Sequence, residues 1–462
     1  MINESHNVIG MRRPFAMLFA ITITVATACT VAVFTRGSDT SPVFLILLAP
    51  PALYVCWSFM RWCLRYLTSK DLFSPALAFP LAYTAWFSIG SFDFLNDGKE
   101  PTYWYFVLGA VSYFAGIRLF GLLRRSSIIQ PSSFRNEWEH RRYWFVVLLF
   151  SLLTAGSYLY MVRSVGVTLF DPEVAERRFE LGQYGAMKAA LLSSGWTLFI
   201  LLGVRLHDAW GRKHFRWTMI FCLILLSLVL LSFGNRGFLL IPLLTLVIAL
   251  HYVYKRYSVG RLAFVFVLFF AAVGVFGYAR DVIARFGYTT QQDTLLGAIY
   301  PFIYPYEYVR NSVAGFSDLT RIIPATVPYQ KGWLTFGALA QALPGHHESS
   351  DLFFEQLFGG NYSGGFPTTL LGPFYGDFGL AGIITGMFLF GCLMRFLYLW
   401  MKSRPTLFRV AIYAWVMQTA ILGLFGSLFT YIITLFVPLM WVALDFVMKA
   451  PGRNHAGIRV AD

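Results

Sequence analysis

Apolar runs of about twenty residues recur along nearly the whole chain, and each is long enough to cross roughly 30 Å of hydrocarbon at ~1.5 Å rise per residue. They lie near 14–34, 41–60, 72–92, 103–123, 143–163, 187–206, 217–234, 237–254, 261–279, 376–398, 408–425 and 428–448. A mean hydropathy of +0.60, with 57% hydrophobic and 13% charged residues, excludes an ordinary soluble domain. The expectation is an all-α polytopic integral membrane protein with about twelve transmembrane helices. Nine spans fill 1–279, a long polar segment with short helices occupies 280–366, and three spans with a tail complete 367–462.

Lys and Arg orient the spans, because short cytoplasmic loops retain them. With the N-terminus inside, 25 of the 37 Lys and Arg residues fall on the inner side, whereas 16 of the 23 acids fall outside. Both termini are then cytoplasmic and 280–366 faces outward. The same partition accounts for the +14 charge and the pI near 9.6 without nucleic acid, since the positive charge is spread over short loops instead of being gathered on one surface. Arg12-Arg13 before the first apolar run is read as the flank of a retained span, not a cleaved signal. The five cysteines lie in the predicted spans or at their inner ends, and no Cys/His spacing matches a metal site.

The outer segments hold the residues able to do chemistry. Arg177 and Arg178 follow Asp171-Pro172, which reads as the start of a short surface helix; they can grip a phosphate, or Arg177 can pair with Glu173 on a solvated face. Arg236 sits in Gly234-Asn235-Arg236-Gly237, a turn with almost no loop between two apolar runs, so its guanidinium either meets an anion at the membrane boundary or snorkels to headgroups. Arg280 leaves the ninth span at a similar depth. Tyr304, Tyr306 and Tyr308 offer flat faces and hydroxyls to sugar rings, or form an interfacial aromatic belt. Among them stands Glu307, a candidate general base, as are His346 and His347; Asp39 and Asp377 come next. Arg321, followed eleven residues later by Gly332, adds another candidate phosphate ligand.

The Gly-Asn-Arg-Gly turn at 234–237, the long outer segment, the run Gly365-Phe366-Pro367-Thr368-Thr369-Leu370-Leu371-Gly372 and the Asp377-Phe378-Gly379 triplet occur in an order that resembles the oligosaccharide repeat-unit polymerases, the Wzy-type O-antigen polymerases. The resemblance implies a GT-C-like glycosyltransferase of the bacterial inner membrane, with the long loop in the periplasm. Its substrates would be undecaprenyl-diphosphate-linked glycans, its surroundings membrane lipids, and a chain-length regulator a further partner. No Walker loop and no Asp-x-Asp is present, so neither ATP nor a metal-held nucleotide sugar is indicated, and no cofactor is expected. Arginines would stabilise the departing diphosphate. The adjacent histidines have no counterpart in the resemblance. An O-antigen ligase and a transporter or flippase of lipid-linked glycans are the rival readings; the first needs a second, bulkier acceptor, the second buried charges and inverted repeats.

Overall fold

The computed structural model describes residues 71–90, 101–123, 139–167, 185–208, 213–233, 237–254, 294–340, 368–426 and 431–448, with a few isolated positions besides. The helices are α1 (Ala78–Gly90), α2 (Pro101–Leu123), α3 (His140–Val165), α4 (Gly185–Asp208), α5 (Lys213–Leu231), α6 (Gly237–Val253), α7 (Thr294–Ile322), α8 (Trp333–Ala340), α9 (Leu371–Ser403), α10 (Leu407–Leu422) and α11 (Ile432–Met448). Among the described residues there is no strand, only an isolated bridge between Thr369 and Gly426. The first, second and ninth predicted spans lie outside the described residues.

Among the described residues, four helices contain a stretch long and apolar enough to cross a membrane, Thr102–Gly121, His140–Val165, Ala186–Leu206 and Leu371–Ser403, and four shorter helices are apolar. Their outer faces leave large apolar side chains uncovered, including Phe145, Leu152, Trp217, Phe221, Leu439 and Phe446. Water would penalise such a surface, whereas hydrocarbon accepts it. This is a membrane protein.

α2 and α9 approach backbone to backbone. A Cβ on Gly116 would fall 2.1 Å from the Phe388 carbonyl oxygen, and one on Gly391 would fall 2.2 Å from that of Tyr113, so only glycine lets these backbones touch. The Cys392 thiol donates to the Gly116 carbonyl at 3.4 Å beside them.

Two predicted spans start elsewhere than expected. The third was expected from 72, but residues 71–77 form tight turns, with Ser74 N–H on the Asp71 carbonyl and Leu77 N–H on that of Ser74, around Pro75, which has no N–H to give. The tenth was expected from 376. It begins at Leu371 and breaks at Gly379, whose φ of 61° and ψ of −143° suit glycine. The piece before the break folds back on the piece after it: a Cβ at Gly382 would meet the Phe374 carbonyl oxygen at 2.0 Å, and one at Gly386 would meet the Phe374 ring.

The polar segment at 280–366 is also not confined to short helices. α7 has 29 residues and continues through Pro301 and Pro305. It crosses the ends of α1 and α2: Trp86 Nε1 donates to Ser312 Oγ at 2.9 Å, Val313 packs against Gly90, and Thr102 Oγ1 donates to Ser317 Oγ at 3.1 Å. Phe87, Phe106 and Phe316 fill the space beneath it.

The opposite end of the bundle is tied by charge. Asp71, just before α1, receives the Tyr252 hydroxyl at 2.8 Å, the Tyr398 hydroxyl and the Lys402 ammonium, the last at 3.2 Å. Burial opposes ionisation of this carboxyl, but Lys402 and then the two hydroxyls outweigh it and hold Asp71 below the usual carboxylate range. Lys402 also stands 5.3 Å from each of the Tyr252 and Tyr398 ring centroids. All four residues come from segments assigned to the same side by the basic-residue partition.

Candidate active site

The α7 end of the bundle gathers several of the sequence candidates. Tyr306, Glu307 and Tyr308 are all half-buried there, followed by buried Val309 and exposed Arg310. The Tyr308 ring lies 4.8 Å from that of Phe425, in the turn that follows α10. The next residue, Gly426, is bridged to Thr369, and Thr369 Oγ1 accepts the Leu371 N–H at 3.2 Å where α9 begins. The Tyr-Glu-Tyr stretch, the end of α10 and the Thr-Thr-Leu-Leu-Gly run therefore meet at one place. Tyr304 is on the same helix, although its side chain is not among those described.

The start of α6 reaches the same level. α6 packs antiparallel against α10, with Tyr252 facing Tyr413 at 5.7 Å between ring centroids and Thr245 Oγ1 3.5 Å from Gln418 Oε1. Continuing this register by ~7 residues, two helical turns, sets Phe238 across from the residues around Phe425. Phe233 at the end of the preceding segment and Phe238 at the start of α6 are both held by packing. Phe233 is fully buried against Tyr158, and the Phe238 carbonyl accepts the Trp196 indole N–H at 2.6 Å.

Arg236 itself, with Arg177, Arg178, Arg280, His346 and His347, lies outside the described residues. Arg321 is described and does not join the cluster. It is exposed in the last turn of α7, fourteen residues beyond Glu307 and thus ~21 Å away along the axis. Gly332, at the end of the Arg-x10-Gly spacing, has φ 101° and serves the turn into α8, where a Cβ would press on the Phe378 ring at 3.3 Å.

Asp377, a reserve candidate for the base, has another occupation. It is 1% exposed, and its two oxygens accept the backbone N–H groups of Leu334 at 3.0 Å and Thr335 at 2.6 Å. These are donors of the first turn of α8 that have no partner within their own helix. The carboxylate thus caps α8 from a distant part of the chain. The fold-back at Gly379 sets it there, and Tyr329 fills the space beside that glycine.

Lys188, in the first turn of α4, has its ammonium 5.9 Å from the Phe238 ring centroid.

Fold and site together define a polytopic helical membrane protein with a polar, aromatic-lined cap at one end. A family model described as "Putative O-antigen polymerase" matches residues 71–436, most of the chain, and the protein belongs to that family. The membership assigns it to the polymerisation of O-antigen repeat units, with lipid-linked glycans as substrates. No curated protein and no solved structure matches the chain.

Proposed function

We propose that the protein is a glycosyltransferase that joins undecaprenyl-diphosphate-linked repeat units on the periplasmic face of the bacterial inner membrane, using a GT-C-like arrangement of about twelve spans. The match to the O-antigen polymerase family over residues 71–436 is the observation that carries this reading.

In the proposed reaction a hydroxyl oxygen on the terminal sugar of one repeat unit attacks the anomeric carbon of another, and the bond from that carbon to the diphosphate breaks. The electron pair leaves with undecaprenyl diphosphate, while the acceptor proton passes to a base. Glu307 is the first candidate for that base and His346 or His347 the second. Arg236 and Arg280 bind the diphosphate and stabilise the charge that grows on it, with Arg177 and Arg178 as further contacts. Tyr304, Tyr306 and Tyr308 give the glycan a platform. Arg321 is left outside this scheme by its distance along α7. The scheme requires neither metal nor cofactor. A chain-length regulator would act on how often the cycle repeats.

The test is an assay with purified protein and two acceptors. Lipid-linked repeat units alone should yield a ladder of lengthened lipid-linked products. Product formed only when lipid A-core is added would identify a ligase instead.

A further inference from the structure

We propose that the seam between α2 and α9, at the end of the bundle opposite the candidate active site, binds the phosphate of an anionic phospholipid through Arg395. By the basic-residue partition the lipid belongs to the cytoplasmic leaflet. Arg395 lies inside the apolar stretch Leu371–Ser403, eight residues before its end and thus ~12 Å from it along the axis. A guanidinium at this depth needs an anion or hydrogen-bond acceptors, and hydrocarbon supplies neither. Among the described residues Arg395 makes no ion pair, and its Nε is buried without a hydrogen bond. It does lie over the face of Tyr398, with 5.7 Å from the guanidinium carbon to the ring centroid. Asp71, which accepts the Tyr398 hydroxyl, is paired with Lys402 instead.

The surroundings leave a lipid headgroup room to approach. Leu393 and Phe396, on either side of Arg395 along α9, are 44% and 41% exposed and face the hydrocarbon, so Arg395 stands at the lipid edge of the seam. Across the seam is Gly121, where a Cβ would lie 3.8 Å from the Arg395 Nε and 4.0 Å from its Nη2. A longer side chain at 121 would lie across the guanidinium; glycine leaves it open. Arg118, exposed one turn earlier on α2, adds a second cation on a neighbouring stripe of the same helix. Two arginines without an acid match an anion, and the paired N–H groups of a guanidinium match phosphate oxygens. The apolar walls of both helices match the acyl chains that a phospholipid brings with its phosphate, a part that free phosphate lacks.

The test uses the full chain in detergent, with dioleoyl phosphatidylglycerol, dioleoyl phosphatidylcholine and glycerol phosphate as probes, read by native mass spectrometry and by the thermal unfolding transition. Wild type should hold one phosphatidylglycerol more tightly than any phosphatidylcholine, and the anionic lipid should raise its unfolding temperature more. Arg395→Gln should weaken phosphatidylglycerol binding about tenfold, the loss expected for one charge-assisted contact, and Arg395→Lys should weaken it less. Equal binding of phosphatidylglycerol by wild type and Arg395→Gln would overturn the proposal. So would equal binding and equal stabilisation of wild type by the two lipids, which would leave only a nonspecific lipid annulus. Displacement of phosphatidylglycerol by equimolar glycerol phosphate would make this a site for free phosphate and overturn the lipid assignment. Loss of the unfolding transition in both Arg395 variants would overturn the binding role in favour of a structural one.

Discussion

Asp377 accepts the Leu334 backbone N–H at 3.0 Å, and this contact joins the folded-back start of α9 to the first turn of α8. Its other oxygen takes the N–H of Thr335. The Asp-Phe-Gly triplet is thereby a piece of scaffold: the acid caps, the phenylalanine flanks the Gly332 turn, and the glycine makes the break.

Asp377→Ala should destabilise the protein, because one buried donor, Leu334 N–H, loses its acceptor at a cost of about 1–3 kcal/mol, and the half-buried Thr335 N–H loses its own at a smaller cost. Asp377→Asn, which keeps one oxygen, should lose less. Melting curves in detergent, taken beside the glycan profile, check this. An unchanged melting temperature in Asp377→Ala together with lost polymer would return Asp377 to the chemistry.

The Asp71–Lys402 pair predicts a dependence on pH. The folded carboxyl titrates below its ordinary 3.8, so its stabilising effect is complete above that value and is lost as pH falls through the depressed folded value. Lys402→Met should destabilise by on the order of 3 kcal/mol near neutrality, since it leaves a buried carboxylate without its cation. Acidification from about pH 5 to about pH 3 should destabilise wild type more than Asp71→Asn, which has no such carboxyl to protonate. Equal acid sensitivity in the two proteins would show that the pair does not hold this end together.

Sidedness is tested with reporter fusions. Those after Arg310 and Glu348 should report the periplasm, and those after Arg124 and Arg404 the cytoplasm. A cytoplasmic signal at Arg310 would contradict both the orientation and the proposed reaction.

Replacement of the general base should lower turnover by ~10²–10⁴-fold and leave donor binding intact. Glu307→Gln and Glu307→Ala are the first variants to measure, then His346→Ala and His347→Ala. Full-length polymer in all of them would place the base elsewhere, with Asp39 the next acid to examine.

The helices α2 to α6 and α10 were legible from apolar periodicity, because a span must be both long and apolar and few other patterns satisfy this. α7 was not legible as one helix. Pro301 and Pro305 interrupt its pattern and ordinarily end a helix, yet α7 continues through both. The aromatic stretch with Glu307 stood out through local composition, whereas the partners of Asp377 and Asp71 lie far along the chain. Asp377 reaches back to Leu334 and Asp71 forward to Lys402, pairings that only packing creates.

The central claim is that Arg236 holds the diphosphate of a lipid donor, and Arg236→Ala tests it most directly. The measurement is a surface glycolipid ladder on a gel beside an immunoblot of membranes. The account predicts that the ladder disappears while single repeat units still reach the surface, that Arg236→Lys retains little activity because it keeps the charge and loses the fork, and that protein abundance stays near wild type. An intact ladder in Arg236→Ala would contradict the phosphate role, and loss of the protein itself would make Arg236 a tie between two helix ends.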